Sequence, residues 1–117
     1  MIQVYGIPNC DTVKKAITWL KENKIAFEFH DFKKEGVSPA KLMEWLKLSP
    51  LEKMLNKKSI AFKNLSPQEQ QNTVEINEAV LLMQANTNLI KRPVVEIAGT
   101  VLHGFQPDEF KKAFGIN

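Results

Sequence analysis

Cys10 is the residue in this sequence with the clearest capacity for chemistry, and it is the single cysteine of the chain. It ends a Gly6-Ile7-Pro8-Asn9 turn and stands directly before a stretch of helical spacing. A thiol at the start of a helix meets backbone N–H groups that lack intrahelical partners, together with the positive end of the helix dipole. Both favour the thiolate, which is the nucleophilic form. Lys14 and Lys15, one turn further on, add positive charge. The alternative is a small buried apolar residue, a common role for free cysteine. A strand-to-helix turn argues against that burial.

The residues after Cys10 limit the chemistry. Cys10-Asp11-Thr12-Val13 lacks the second thiol of a C-x-x-C motif, and no other cysteine exists to replace it. An internal dithiol–disulfide cycle is therefore excluded. The sixth residue on is Ala16, which excludes the C-x5-R phosphate loop of tyrosine phosphatases. A redox cycle at Cys10 needs an external thiol, such as glutathione or a partner protein.

Arg92 is the sole arginine among 16 basic residues, and Pro93 follows it. The planar guanidinium fork grips an oxyanion or carboxylate bidentately, which lysine does not reproduce. The alternative is a surface arginine before a turn proline. His30, in an aromatic stretch, reads as a packed or edge residue, and His103, at the end of a strand, as structural. Cys10, His30 and His103 show none of the close spacings of a zinc site, so no metal is expected. Neither a glycine-rich phosphate loop nor HExxH is present.

The surrounding pattern predicts the elements that hold these residues. Ile2 to Gly6 alternates and is β-rich. From Thr12 onward Val13, Ala16, Ile17 and Leu20 recur at helical spacing, and Asn23 ends that helix. Phe27 to Phe32 reads as a second strand, completing a βαβ unit with parallel strands. In the middle, Ser38-Pro39, Ser49-Pro50 and Ser66-Pro67 each read as an N-cap before a proline at the first helical position. Ser49 with Glu52 and Ser66 with Glu69 also have capping-box spacing. A longer helix is predicted over Val74 to Ala85, with Ile76, Val80 and Met83 on one face. Val94 to Ile97 and Val101 to His103 flank Ala98-Gly99-Thr100 as a hairpin, and Pro107 opens a last helix with Gly115 as its C-cap.

The order is β-α-β, a helical block, then β-β-α. This is an α/β chain of thioredoxin-like topology: a mixed four-stranded sheet with a helical lobe inserted over about 38–88. In such a fold the proline before the final hairpin is cis and faces the active cysteine. Pro93 would then leave neighbouring backbone groups open to pair with an extended peptide or glutathione.

Composition sets the wider frame. With 117 residues, 44% hydrophobic and 25% charged, the chain reads as one soluble domain. The net charge of +3 is mildly basic, and the lysine doublets read as solvated faces, so no direct nucleic-acid partner is expected. No apolar run is long enough for a membrane span. No signal peptide is visible, and a single thiol is in keeping with a cytoplasmic location. A monomer is the default.

Tyr5-Gly6-Ile7-Pro8-Asn9-Cys10-Asp11-Thr12, then Lys91-Arg92-Pro93, then Gly104-Phe105 after the last strand, follow in order and spacing a known pattern. On these residues the chain resembles the arsenate reductase (ArsC) family, and within it the YffB-like branch related to Spx. The likeness spans essentially the whole chain. It implies a thiol oxidoreductase that uses the cysteine at position 10 as nucleophile, forms a glutathione adduct and has it resolved by glutaredoxin or another thiol protein. No bound cofactor is implied; glutathione is the co-substrate. Cys10 and Arg92 carry over as catalytic residues, and Asn9, Thr12, Lys58, Arg92 and Pro93 as the substrate-binding set. The family binds the oxyanion with three arginines. Arg92 matches one, the second falls near Lys58 and the third near Phe105. Lysine supplies charge without a fork, and phenylalanine supplies neither. The Spx relatives imply another role, a regulator that binds RNA polymerase and senses oxidation through C-x-x-C. The second cysteine of that switch is missing here. Weak arsenate reduction is a third implication.

Overall fold

The computed structural model describes residues 1–116. Its described residues divide into two compact units, one of residues 1–32 and 92–116, the other of residues 33–91.

The first unit is built on a sheet of four strands: β1 (Ile2–Gly6), β2 (Phe27–Asp31), β3 (Val94–Ile97) and β4 (Thr100–His103). Their order is β2-β1-β3-β4. β1 runs parallel to β2 and antiparallel to β3, and β4 closes the sheet as an antiparallel hairpin with β3. This is the thioredoxin-like fold expected. Two helices belong to the unit, α1 (Asp11–Glu22) and α8 (Pro107–Phe114).

Strand alternation sorts the side chains onto two faces. Val4, Val95 and Leu102 project to one face and form a core with Ala16 and Leu20 of α1 and Phe110 of α8. Phe110 is fully buried and meets Trp19 and Phe105 edge-to-face, at centroid distances of 5.5 Å and 4.8 Å. Gln3 and Tyr5 project to the other face, in register with Glu28 and His30 of β2. The Tyr5 and His30 rings stack at 4.5 Å, the Tyr5 hydroxyl donates to Glu96 Oε1 at 3.3 Å, and His30 Nε2 bonds Gln3 Oε1.

Gly6 ends β1 where α1 comes closest. A Cβ built there would lie 2.8 Å from Cγ2 of Val13, which is itself fully buried. Gly6→Ala must therefore displace α1 or twist Val13 off its rotamer, at a cost of about 1–3 kcal/mol. Urea unfolding should show the lower midpoint with an unchanged m-value; a midpoint equal to that of the parent chain would refute the close approach.

The second unit is helical: α3 (Pro39–Leu48), α4 (Leu51–Met54), α5 (Ile60–Lys63), α6 (Pro67–Asn72), α7 (Ile76–Ala85) and a 3₁₀ turn over Thr87–Leu89. A short α2 (Phe32–Glu35) leads into it. α3 packs on α7, and Leu42, Trp45, Val80, Met83, Leu89 and Ile90 are buried. An isolated antiparallel bridge joins Leu55 to Ile90.

Serine capping holds at two of the three expected places. The Ser38 hydroxyl accepts from Lys41 N–H, and Ser66 with Glu69 completes a reciprocal capping box. Ser49 instead ends α3 as its C-cap, and Pro50 takes the N-cap of α4 with no side-chain bond. Ser49 is buried, and its hydroxyl makes no hydrogen bond among the described residues. Ser59 caps α5 through Phe62 N–H, a start with no proline to mark it. The helix predicted from Val74 begins at Ile76, capped by Glu75. Val74 is 81% exposed and Ile76 lies outside the buried stripe, which runs through Ala79, Val80 and Met83. Phe32 is the first residue of α2 rather than the last of β2, and Thr100 belongs to β4, so the hairpin turns on Ala98 and Gly99 alone. Gly99 has φ +73, the left-handed conformation such a turn requires. Among the described residues no helix is long and apolar enough to cross a membrane.

Candidate active site

The register of the sheet brings the chemically capable residues to one end. Tyr5 pairs with Val94, Gly6 with Asp31, and Val94 with His103. The exit of β1, the exit of β2, the entry to β3 and the exit of β4 therefore share one end of the sheet. The turn carrying Cys10 leaves from the first, Arg92-Pro93 leads into the third, and His103-Gly104 leaves the fourth.

Cys10 is the N-cap of α1, extended at φ −134° and ψ 122°. Its carbonyl accepts the N–H of Lys14 at 2.9 Å, the first bond of the helix. Its side chain makes no capping hydrogen bond. The thiol is partly exposed, and Pro8, Asn9, Asp11 and Thr12 around it are exposed. The local sequence explains the geometry. Gly6 lets α1 approach the strand end, Pro8 and Asn9 turn the chain, and Val13 and Ala16 bury the helix against the sheet. Lys14 and Lys15 lie on its exposed side.

The Arg92–Pro93 bond is cis. Pro93 is buried and Arg92 half-buried. The Pro93 carbonyl accepts the N–H of Gly104 at 2.9 Å. That carbonyl is taken up by the hairpin itself and is not one of the open groups expected beside Pro93. Gly104, at φ +78°, makes the return possible.

Cys10, Asn9, Thr12, Arg92 and Pro93 thus all belong to the sheet unit and to one end of it. Lys58 belongs to the second unit, exposed on a turn in which its N–H donates to Asn56 Oδ1 at 3.2 Å. Phe105 is partly buried and edge-to-face with Phe110, so an apolar ring stands where the resemblance puts an arginine. Among the described residues no group of three or more His, Cys, Asp or Glu side chains is placed to hold a metal. Sequence reasoning missed the polar network of Gln3, Tyr5, His30 and Glu96. Its signal was the alternation of β1, where Gln3 and Tyr5 interleave with Ile2 and Val4.

Comparison with known proteins fits this arrangement. A solved structure of a YFFB protein is 37% identical and superposes with a TM-score of 0.89, covering 97% of this chain and 98% of that one. An arsenate reductase (ArsC) related protein from Brucella melitensis is 39% identical, with a TM-score of 0.76 and coverage of 98% and 95%. The global transcriptional regulator Spx of Lactiplantibacillus plantarum is 27% identical over 96% of this chain and 85% of its own. The family model described as the ArsC family matches residues 5–113, a span that takes in both the Cys10 turn and the Arg92-Pro93 hairpin. A partly exposed cysteine at the N-cap of the helix after β1, at the same sheet end as a cis proline entering β3, is thus set in a chain that belongs to the ArsC family.

Proposed function

We propose that this chain is a glutathione-dependent thiol oxidoreductase in which Cys10 is the only protein thiol used. The observation that carries the reading is the partly exposed Cys10 at the N-cap of α1, at the same sheet end as Arg92-Pro93, in a chain without a second cysteine. The Cys10 thiolate attacks the glutathione sulfur of a mixed disulfide. That S–S bond breaks, the substrate leaves as a thiolate, and Cys10 carries glutathione. A second glutathione thiolate then attacks the glutathione sulfur of the adduct, releasing oxidised glutathione and restoring Cys10. In sum the mixed disulfide and one free glutathione thiol become a substrate thiol and oxidised glutathione, with Cys10 regenerated, so the exchange needs no further oxidant or reductant. Arg92 holds a glutathione carboxylate, or an oxyanion, with its fork of donors. Asn9 and Thr12 flank the bound tripeptide, and Pro93 forms the platform beside it. Glutaredoxin or another thiol protein can take the place of the second glutathione.

Intact-mass spectrometry after incubation with oxidised glutathione tests the reading. One glutathione per chain, removed by reduced glutathione, is expected; an unmodified chain would sink it. Arg92→Lys keeps the charge and loses the fork, so KM for glutathione should rise about tenfold with a smaller change in kcat. An unchanged KM would remove Arg92 from the binding set.

The likeness to Spx favours a second reading, a regulator that binds RNA polymerase. Cys10 is then dispensable. Recovery of the polymerase α-subunit by both the parent chain and Cys10→Ser, with no glutathione adduct, would establish it in place of the first.

A further inference from the structure

The helical unit carries a basic turn that the Cys10 chemistry does not require. Asn56 organises it: its N–H donates to the Leu89 carbonyl at 2.8 Å, its carbonyl accepts the Ser59 hydroxyl at 2.7 Å, and its side-chain oxygen accepts Lys58 N–H. Lys91 N–H donates to the Met54 carbonyl at 2.7 Å, next to the Leu55–Ile90 bridge. These bonds tie together the backbone that carries Lys53, Lys57, Lys58 and Lys91, and Lys63 follows in α5, its N–H donating to the Ser59 carbonyl at 3.1 Å. All five are exposed, and none makes an ion pair among the described residues. Between Trp45 and Gln68 the sole acidic residue is Glu52. Between Lys58 and Lys63 in sequence stands Ile60, first residue of α5 and 77% exposed, whereas Met54 and Leu55 are buried.

We infer that this turn docks an acidic segment of another protein, one that carries an apolar side chain to cover Ile60. Five uncompensated lysines supply a local field that attracts and orients an acidic segment. They do not account for Ile60. A large apolar side chain held in water on a rigid turn gains from burial only against another apolar group. A nucleic-acid backbone would satisfy the lysines and leave Ile60 wet. The turn also lacks arginine and an exposed aromatic ring, the groups that stack on bases. Charge and the apolar centre together select a protein segment.

The test uses the full chain, labelled with ¹⁵N, and three probes: the peptide Glu-Glu-Leu-Glu-Asp-Leu-Glu-Glu, its analogue with serine for both leucines, and oligo-dT. The leucine peptide should bind saturably, with amide shifts confined to 53–63 and 91. Ile60→Asp should weaken it about tenfold, as should Lys57→Glu with Lys63→Glu. The serine analogue should bind more weakly than the leucine peptide. No saturable binding overturns the inference. Equal binding of the two peptides, untouched by Ile60→Asp, reduces the turn to a diffuse cation and overturns it too. Tighter binding of oligo-dT assigns the turn to nucleic acid instead. None of these readouts involves Cys10, so the inference stands or falls apart from the thiol chemistry.

Discussion

Cys10→Ser should abolish the glutathione adduct and lower glutathione-linked turnover by at least about a thousandfold, since loss of a nucleophile removes the whole covalent route. No other thiol exists to take over. The substitution replaces sulfur by oxygen at a partly exposed N-cap whose side chain makes no capping bond. Serine is itself a good N-cap, so the fold should hold or gain slightly. Activity lost with an unchanged or raised melting temperature separates chemistry from stability. Turnover within a factor of two of the parent chain would mean that Cys10 is not the nucleophile, and the thiol reading would fall.

Phe110→Ala should be the most damaging single truncation for stability. The ring is fully buried, and it joins Trp19 of α1 and Phe105 after β4 through two edge-to-face contacts. Without it both helices on that face of the sheet lose their common filler. Large-to-small changes at such sites cost about 3–5 kcal/mol through lost transfer energy and the cavity left behind. For a chain of this size that corresponds to a melting temperature lower by roughly 10–25 °C. Phe110→Leu, which keeps most of the volume, should recover more than half of the loss. Calorimetry on the three chains decides the point, and a loss under about 1 kcal/mol for the alanine variant would show that the cavity collapses at little cost.

The sheet unit was largely legible because its signals are local and strong. The alternation of β1, the helical spacing after Cys10, and glycine at the hairpin and at the end of α8 each state a backbone conformation directly. Gly115 does lie in the left-handed region as C-cap, and Asn23 does end α1. The helical unit was less legible. α4 and α5 have four residues each, too short for a period to appear, and the Leu55–Ile90 bridge is a single pair. Ser49 shows the deeper difficulty. Its sequence signature equals that of Ser66, yet its burial assigns it to the helix before rather than the helix after. Burial is a property of the packed chain and is absent from a four-residue window. The same holds for the site. Cys10 and Arg92 stand out by type and position, but their meeting at one sheet end depends on the β1–β3 register, which no local pattern specifies.

That register also fixes where the chain departs from the sheet and where it comes back. Asp31 pairs with Gly6, and Val94 with Tyr5, so the two points lie on strands flanking β1, at the same end, about 10 Å apart. A gap of that width is spanned by about three or four extended residues. Residues 33–91 are therefore spliced into the sheet unit at a graft point whose two ends are already close. The sheet's pairing asks nothing of the inserted piece except that its ends reach those two positions. Lobes of other lengths and surfaces can join there while Cys10, Arg92 and Pro93 keep their places in the sheet unit.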